Sequence, residues 1–231
     1  MHVEWLTRTE TWRAIVVAPG LVSNPFDLHA DYGLATYDVR NIGVINAVYN
    51  LPFGKGQLFA DSLEGWSNAL VSGWSVNSIV TVQSGFPFTP QLSYNPSNNG
   101  DTRNPVRPFV NPVFTGPVIL GKPSQWFNPK AFLAPPAGSG FYGNLGRDTL
   151  IGPGLATWDF SAFKTTNLRE RLALQFRAEI FNLLNRANFN TPNLITFTSS
   201  ASGTKVSGTA GAITSTSTTS RQVQFGLKLI W

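Results

Sequence analysis

Apolar and polar side chains alternate along several separate stretches of this chain, most clearly along its last one, Arg221–Trp231. Side chains of an extended strand point to opposite faces with period two. One face of this stretch is therefore predicted to be apolar, with Val223, Phe225, Leu227, Leu229 and Trp231. A strand of about 9 to 11 residues with one apolar face has the length and pattern that cross a bilayer in a closed barrel.

Four earlier stretches predict strands of the same kind: Arg40–Leu51, Val71–Ser84, Leu155–Thr165 and Arg171–Ile180. The last of them has apolar residues at alternate positions from Leu172 onwards, and Arg, Gln, Arg and Glu side chains on the opposite face. Such a polar face argues against a strand that is buried on both sides. The pattern predicts an antiparallel sheet with one apolar and one polar face.

The connections between these strands alternate in length. Residues 85–154 and Asn185–Ser220 are long and rich in small and polar residues, whereas Thr166–Glu170 is short. Outer-membrane barrels have long extracellular loops and short periplasmic turns. We therefore predict an all-β fold, in which the chain supplies about five or six strands of an antiparallel transmembrane β-barrel with long extracellular loops. Trp231 is then expected at the periplasmic interface, where aromatic rings concentrate.

The start of the chain lacks a sustained pattern. Residues 1–30 are interpreted as a poorly defined start in which Thr11–Ala18 forms a partial strand, cut short by Pro19 and Gly20. Residues 31–231 are interpreted as the C-terminal part of an outer-membrane barrel. The first residues have neither the basic region nor the apolar region of a signal peptide, so we expect an export signal upstream.

Composition agrees with a barrel and argues against other classes of protein. Charged residues make up 13% of the chain, against roughly 25% in soluble domains, and no apolar run is long enough for a membrane-spanning helix. The basic residues behind the net charge of +5 are scattered, which argues against nucleic acid as a partner. There is no cysteine, and the two histidines, His2 and His29, lie near the start. We therefore predict no enzyme activity, no metal site and no cofactor.

Several short motifs, in this order and spacing, resemble the C-terminal end of TonB-dependent receptors of the Oar-like type. The resemblance covers roughly Asn24 to Trp231. The motifs that carry it are Asn24–Asp27, Leu51–Gly56, Ser84–Pro90, Trp126–Pro129, Gly143–Arg147, Phe176–Asn185 and Gln224–Lys228.

This resemblance implies a bacterial outer-membrane transporter of 22 strands, whose lumen is blocked by an N-terminal plug and which takes up a ligand too large for porins. The plug, the TonB box and a carboxypeptidase-regulatory-like domain are expected to precede Met1. The implied partners are outer-membrane lipid, the remaining strands and plug, the TonB complex, and the barrel-assembly machinery. The terminal assembly signal comprises Phe225, Leu227, Leu229 and Trp231, with Trp where the family usually ends in Phe.

One pair of charged residues is a candidate site. If the turn after Thr165 is centred near Leu168, antiparallel pairing places Asp159 opposite Arg177 on the lumen-facing side of the sheet. This ion pair either contributes to a charged lining that contacts plug or substrate, or only neutralises charge within the wall. We favour the second interpretation, because cross-strand ion pairs are ordinary features of sheets.

Aromatic residues in the long loop are the second candidate site. They are Phe86, Phe88, Trp126, Phe127 and Phe132. These rings are candidates for contact with a sugar or an apolar ligand. Alternatively they hold the loop in a fixed shape, which is the commoner role of such residues.

A secreted β-sandwich that binds carbohydrate or a partner surface is the alternative function. It requires the apolar faces of Val71–Ser84 and Leu172–Ile180 to pack against each other across a dry core. A sandwich exposes its opposite faces to water and normally carries many Lys and Glu residues there. Those faces here carry mainly Ser, Thr, Gln and Asn, which favours the barrel.

Overall fold

Five long strands form a single antiparallel sheet, which we call the wall. The structure, a computed structural model, describes residues 13–14, 23–24, 26–100, 106–201 and 203–231. The wall strands are β1 (Ile42–Asn50), β2 (Trp74–Gln83), β3 (Leu155–Arg169), β4 (Leu172–Phe181) and β5 (Gln222–Ile230). Each strand pairs with the next one along the chain. The predicted antiparallel sheet of five strands is confirmed.

Two strand boundaries differ from the prediction by three residues or more, and the others differ by two at most. Val71 ends a short helix, α1 (Gly65–Val71), so that β2 begins only at Trp74. The break between them is Gly73, whose φ of 76° favours glycine and whose Cα lies against the carbonyl of Thr165. Strand β3 continues to Arg169, which leaves a turn of only Glu170 and Arg171 before β4.

The register gives the wall one apolar and one polar face. The apolar face includes Ile45, Ala47, Val76, Val80, Trp158, Phe160, Ala162, Phe176, Ala178, Ile180, Phe225 and Leu227. Two polar side chains on this face are hydrogen-bonded. Trp158 Nε1 donates to Ser78 Oγ over 2.9 Å, and Lys164 Nζ donates to the carbonyl of Ser72 over 2.6 Å. Their polar atoms are thus satisfied within the apolar surface.

The topology contradicts the proposed sandwich. Strands β2 and β4 both pair with β3, and their apolar side chains therefore lie on the same face of the same sheet. Two adjoining parts of one face cannot pack against each other across a core. The sandwich interpretation is therefore wrong.

The connections alternate between the two ends of the wall, as predicted. At the short-turn end lie the turn between β3 and β4 and the connection 51–73, which contains α1. At the long-loop end lie the connections 84–154 and 182–221 and the segment that precedes β1. Ile230 pairs with Ala173, so Trp231 follows at the short-turn end.

Short elements give the long-loop end its shape. Its short strands are Arg13–Ala14, Gly33–Leu34, Pro87–Phe88, Gln91–Leu92, Phe109–Val110, Ile119–Lys122, Gln125–Phe127, Phe132–Leu133, Leu150–Ile151, Ile195–Ser200 and Gly203–Val206. Two 3-10 helices span Leu28–Asp31 and Pro129–Ala131. Of the partial strand predicted over Thr11–Ala18, Arg13–Ala14 forms a strand, and the rest lies outside the described residues.

The buried core lies in the loops and not in the wall. Its residues are Phe88, Leu92, Val106, Phe127, Ala131, Phe132, Leu145 and Phe197. In contrast, every residue of the five wall strands is at least partly accessible. Across the described part of the chain, no helix is long and apolar enough to cross a membrane.

Candidate functional site

The polar face of the wall has a charged centre at Arg177. Its Nη2 lies 3.1 Å from Oε1 of Glu179, two residues along the same strand. Its guanidinium carbon lies 4.9 Å from the ring centroid of Phe163, the residue opposite it on β3. Gly226 is the neighbour on β5 and leaves the other side of Arg177 open. The centre is a half-exposed cation held over an aromatic ring.

The predicted ion pair between Asp159 and Arg177 is wrong. The turn is centred at Glu170 and Arg171 rather than near Leu168, and a register irregularity lies between Asn167 and Arg169. These two features place Phe163, and not Asp159, opposite Arg177. Asp159 does share the polar face, but it lies four residues further towards the long-loop end.

Asp159 instead joins a network that closes the base of the second long loop. Its Oδ1 accepts a hydrogen bond of 2.8 Å from the backbone N–H of Asn182. The Asn182 side chain donates to the carbonyls of Arg186 and Thr219, each over 3.0 Å, and accepts from the N–H of Arg186. One buried amide thus ties together both ends of the connection 182–221.

Sequence reasoning missed this role of Asn182, although a signal was present. Asn182 and Asn185 both have a φ of 51°, in the left-handed region that Asn tolerates better than most residues. The Oδ1 of Asn185 accepts from the N–H of Arg221 over 2.9 Å. Two Asn residues three positions apart directly after a strand therefore indicated a turn that binds a distant segment.

Three of the five loop aromatics are core residues. Phe88, Phe127 and Phe132 are buried, and the ring centroid of Phe127 lies 5.8 Å from that of Phe88 and 6.0 Å from that of Phe132. Their burial leaves no surface for a ligand, so ligand contact is wrong for these three residues. They hold the loop in a fixed shape, as the alternative interpretation proposed.

The other two loop aromatics reach the surface to different extents. Trp126 is half-buried, and its Nε1 donates to the carbonyl of Ile151 over 3.0 Å. Phe86 is exposed, and its backbone carbonyl accepts from the N–H of Gly152. Phe86 is therefore the member of the set with most surface for contact with a ligand.

Buried charges join the start of the described chain to the long loops. Arg107 Nη2 lies 2.9 Å from Asp31 Oδ1 and 2.6 Å from Ser23 Oγ, and Nη1 donates to the carbonyl of Ala30. Burial lowers the pKa of Arg107, an effect that the neighbouring Asp31 carboxylate opposes. Within the loops, the guanidinium thus fixes the position of the segment that precedes β1.

A second buried carboxyl group lies within the loops. Thr89 Oγ1 donates to Asp148 Oδ1 over 3.0 Å, and Arg147 Nε lies 3.5 Å from Asp148 Oδ2. Burial raises the pKa of Asp148, although both Thr89 and Arg147 act to lower it. Through Thr89, the Asp148 residue links the end of the strand Pro87–Phe88 to the segment that precedes the strand Leu150–Ile151.

The predicted assembly residues form an exposed apolar surface along the last strand. Phe225, Leu227 and Leu229 share the apolar face and are 68%, 73% and 47% exposed, and Trp231 after them is 89% exposed. The Phe225 ring stacks on Phe176 of β4 with centroids 6.1 Å apart. Strand β5 pairs with β4 on one side, and on its other side no described strand pairs with it. The edge is therefore open.

Comparison with known proteins finds one family. A family model described as an outer membrane beta barrel domain matches residues 10–224. No curated protein and no solved structure matches the chain. The matched range includes the first four wall strands, both long connections and the first three residues of β5.

Proposed function

Because the chain belongs to the outer membrane beta barrel domain family, we propose that it forms the C-terminal wall of a TonB-dependent receptor of the bacterial outer membrane. The barrel fold and the outer-membrane location rest on the family itself. The proposal adds that the complete barrel takes up a ligand too large for porins. The observation that carries it is an open wall with one polar face, whose long connections leave from one end and have a buried core of their own.

The two edges of the wall favour a larger barrel. Strand β1 contains neither a charged residue nor proline, and β5 contains a single charge, Lys228. Soluble sheets protect open edges with charges, proline or bulges. In lipid, every unpaired backbone group costs several kcal/mol. Edges of this composition are therefore suited to pairing with further strands of the same wall.

Strand direction limits how the wall can be completed. Because each strand is antiparallel to the next, β1 and β5 run in the same direction. Closure with antiparallel pairs alone therefore needs an odd number of additional strands. The 22-stranded barrels of outer-membrane transporters, whose lumen holds a plug, meet this condition. Closure of β5 directly on β1 would give a barrel below the minimum of about eight strands.

The motifs that carry the resemblance make contacts that fix the loops. Gly85 lies against the carbonyl of Gly152, and Gly143 lies against the carbonyl of Arg107, so a side chain at either position would clash with backbone. The side chain of Asn128 accepts from the N–H of Lys130 and caps the 3-10 helix after it. A family that shares these motifs would share this loop architecture. This agreement between motif and contact supports the receptor proposal over that of an unrelated barrel.

Each proposed partner has a matching surface. The apolar face is suited to lipid, and the polar face with Arg177 and Glu179 is suited to a plug inside the barrel. The barrel-assembly machinery would recognise the terminal strand through Phe225, Leu227, Leu229 and Trp231. The TonB complex would act through a segment that precedes the wall, so its energy would reach this chain only through the plug.

A conductance measurement tests the receptor proposal. The complete protein is purified from the outer membrane and inserted into planar lipid bilayers. A plugged receptor is expected to conduct little current until urea unfolds the plug, and to close again when urea is removed. A wide, steady conductance without urea would contradict the proposal, because it is the behaviour of an open porin.

Removal of the last residue tests the assembly signal separately. Deletion of Trp231 is expected to reduce recovery in the outer-membrane fraction severely, because the terminal aromatic ring is lost from the exposed edge. Trp231→Phe, which keeps an aromatic ring, is the matched control and is expected to assemble normally. Equal recovery of the deletion variant and the control would contradict a role for Trp231 in assembly.

A further inference from the structure

The connection 51–73 at the short-turn end contains an apolar surface that the wall itself does not cover. Helix α1 exposes Trp66 and Leu70, which are 82% and 60% accessible. They are four positions apart and therefore lie on the same side of the helix. The preceding turn also exposes Leu58 and Phe59. Large exposed apolar side chains that cluster in this way mark a surface for binding.

Hydrogen bonds fix the C-terminal end of α1 against the apolar side of the wall. Trp74 Nε1 donates to the carbonyl of Leu70 over 3.1 Å, and Lys164 Nζ donates to the carbonyl of Ser72 over 2.6 Å. Trp74 and Lys164 are partners in the β2–β3 ladder and lie on the apolar face. The end of α1 is therefore held by side chains of the face that contacts lipid, and not by side chains of the lumen.

The opposite side of α1 is covered by the turn that precedes it. Asn68 Oδ1 accepts from the N–H of Lys55 over 2.8 Å, and Gly54 lies against Ser72. The Lys55 ammonium lies 2.8 Å from the carboxylate of Glu64 at the start of the helix. The polar contacts between α1 and the preceding turn thus lie away from the side chains of Trp66 and Leu70, so α1 has one packed polar side and one open apolar side.

Charge and aromatic content match the border between lipid tails and headgroups. Trp is enriched at this depth because one end of its ring is apolar and the other donates a hydrogen bond. Trp74 lies at the short-turn end of the wall, and Lys164 lies beside it, with Nζ 5.5 Å from the centroid of the Trp74 ring. A lysine near the end of a membrane strand extends its ammonium towards the headgroups. The carbonyl of Ser72 holds the Lys164 ammonium at the short-turn end of the wall, beside this ring.

We propose that α1 is a membrane anchor, which inserts Trp66 and Leu70 into the phospholipid leaflet at the short-turn end of the barrel. The surface is continuous with the apolar face of the wall through Trp74 and Lys164. A helix of only seven residues is not stable alone in water. Burial in the membrane interface and the contacts of its C-terminal end stabilise it together.

Cysteine accessibility tests this anchor directly, because the chain contains no cysteine. Trp66→Cys and Leu70→Cys are compared with Ser62→Cys, an exposed position in the same connection. Isolated outer membranes are treated with a charged, water-soluble maleimide. Because the thiolate is the reactive form and apolar surroundings suppress it, cysteines at 66 and 70 are expected to react about tenfold more slowly than cysteine at 62.

Two further measurements separate lipid from a protein partner. After denaturation in detergent, all three cysteines are expected to react equally. The purified protein in liposomes of phosphatidylethanolamine and phosphatidylglycerol should retain the protection of positions 66 and 70. Protection that is lost in these liposomes would overturn the proposal and indicate a protein partner. Equal reaction of all three positions in outer membranes would also overturn it, and would leave the receptor proposal unaffected.

Discussion

The wall and the long loops use apolar side chains in opposite ways. All residues of the five wall strands are at least partly accessible, and most of the apolar residues among them share one face. The loops, in contrast, contain a closed core around Phe127, whose side chain is completely buried. The wall depends on lipid to cover its apolar face, whereas the loops cover their own. In the same chain, lipid therefore stabilises the wall, whereas internal packing stabilises the loops.

The largest effect is expected from Phe127→Ala. Loss of this ring leaves a cavity between Phe88 and Phe132, which should destabilise the loop core by about 3–5 kcal/mol. Surface proteolysis of intact cells measures the opening of the loops, and recovery in the outer membrane measures the wall. We expect faster cleavage with unchanged recovery.

The matched control for Phe127→Ala is Phe160→Ala on the apolar face of β3. Lipid chains can fill the space of a lost ring in the wall, so this change should leave loop cleavage unchanged. Equal sensitivity of the two variants to protease would break the distinction between the regions.

The next largest effect concerns neighbouring residues on opposite faces of β3. Ala162→Arg places a charge on the apolar face near the middle of the strand, which should cost about 2–4 kcal/mol in a bilayer. Ser161→Arg places the same side chain on the polar face and should cost much less. Urea unfolding of the protein in liposomes gives both values. If the two variants lost equal stability, the assignment of the faces would be wrong.

A smaller effect is expected at the junction between wall and loops. Asn182→Ala removes the side-chain hydrogen bonds to Arg186 and Thr219 and leaves their carbonyls without this donor. The cost should be about 1–3 kcal/mol. Hydrogen exchange should show faster opening of the connection 182–221. The control is Asn190→Ala, because Asn190 lies in the same connection and is exposed. In this variant the connection should open no faster than in the parent. Protection of 182–221 that survived in Asn182→Ala would contradict the role of this amide.

The smallest effect is a pH dependence confined to the loops. Burial raises the pKa of Asp148 above the value of about 4 that it has in the unfolded chain. The folded loop therefore holds this proton more tightly than the unfolded chain does. Loop stability falls as pH rises from the pKa of Asp148 in the unfolded chain to its raised pKa in the folded loop. Asp148→Asn keeps an acceptor for Thr89 and removes the titration. Between pH 4 and pH 7, the resistance of the loops to protease should decline in the parent as pH rises. The decline should be weaker in Asp148→Asn. An identical decline in both would exclude Asp148 as its source.

Sequence patterns predicted the wall well because its two environments differ in polarity. Each residue of β4 between Leu172 and Ile180 faces either lipid or the lumen, so alternation records its orientation directly. The apolar face of Arg221–Trp231 could be predicted for the same reason. Periodicity does not fix where a turn is centred, and a shift from Leu168 to Glu170 and Arg171 was enough to separate Asp159 from Arg177.

The loop core could not be predicted by the same means. Phe88, Phe127 and Phe132 come from short strands of two or three residues that are too short to show a period. Their burial depends on contacts between distant segments, such as the link from Thr89 to Asp148. Composition alone cannot distinguish an aromatic residue that binds a ligand from one that fills a core.

The orientation of the wall in the membrane is tested most directly by spin labels along β3. Single cysteines at successive positions from Trp158 to Phe163 carry a nitroxide, and the protein is reconstituted in phospholipid. Collisions with oxygen, which concentrates in lipid, are compared with collisions with a water-soluble nickel complex. Labels at 158, 160 and 162 are expected to collide mainly with oxygen, and those at 159, 161 and 163 mainly with nickel. Collision rates without this period of two would contradict a wall with one face towards lipid and one towards the lumen.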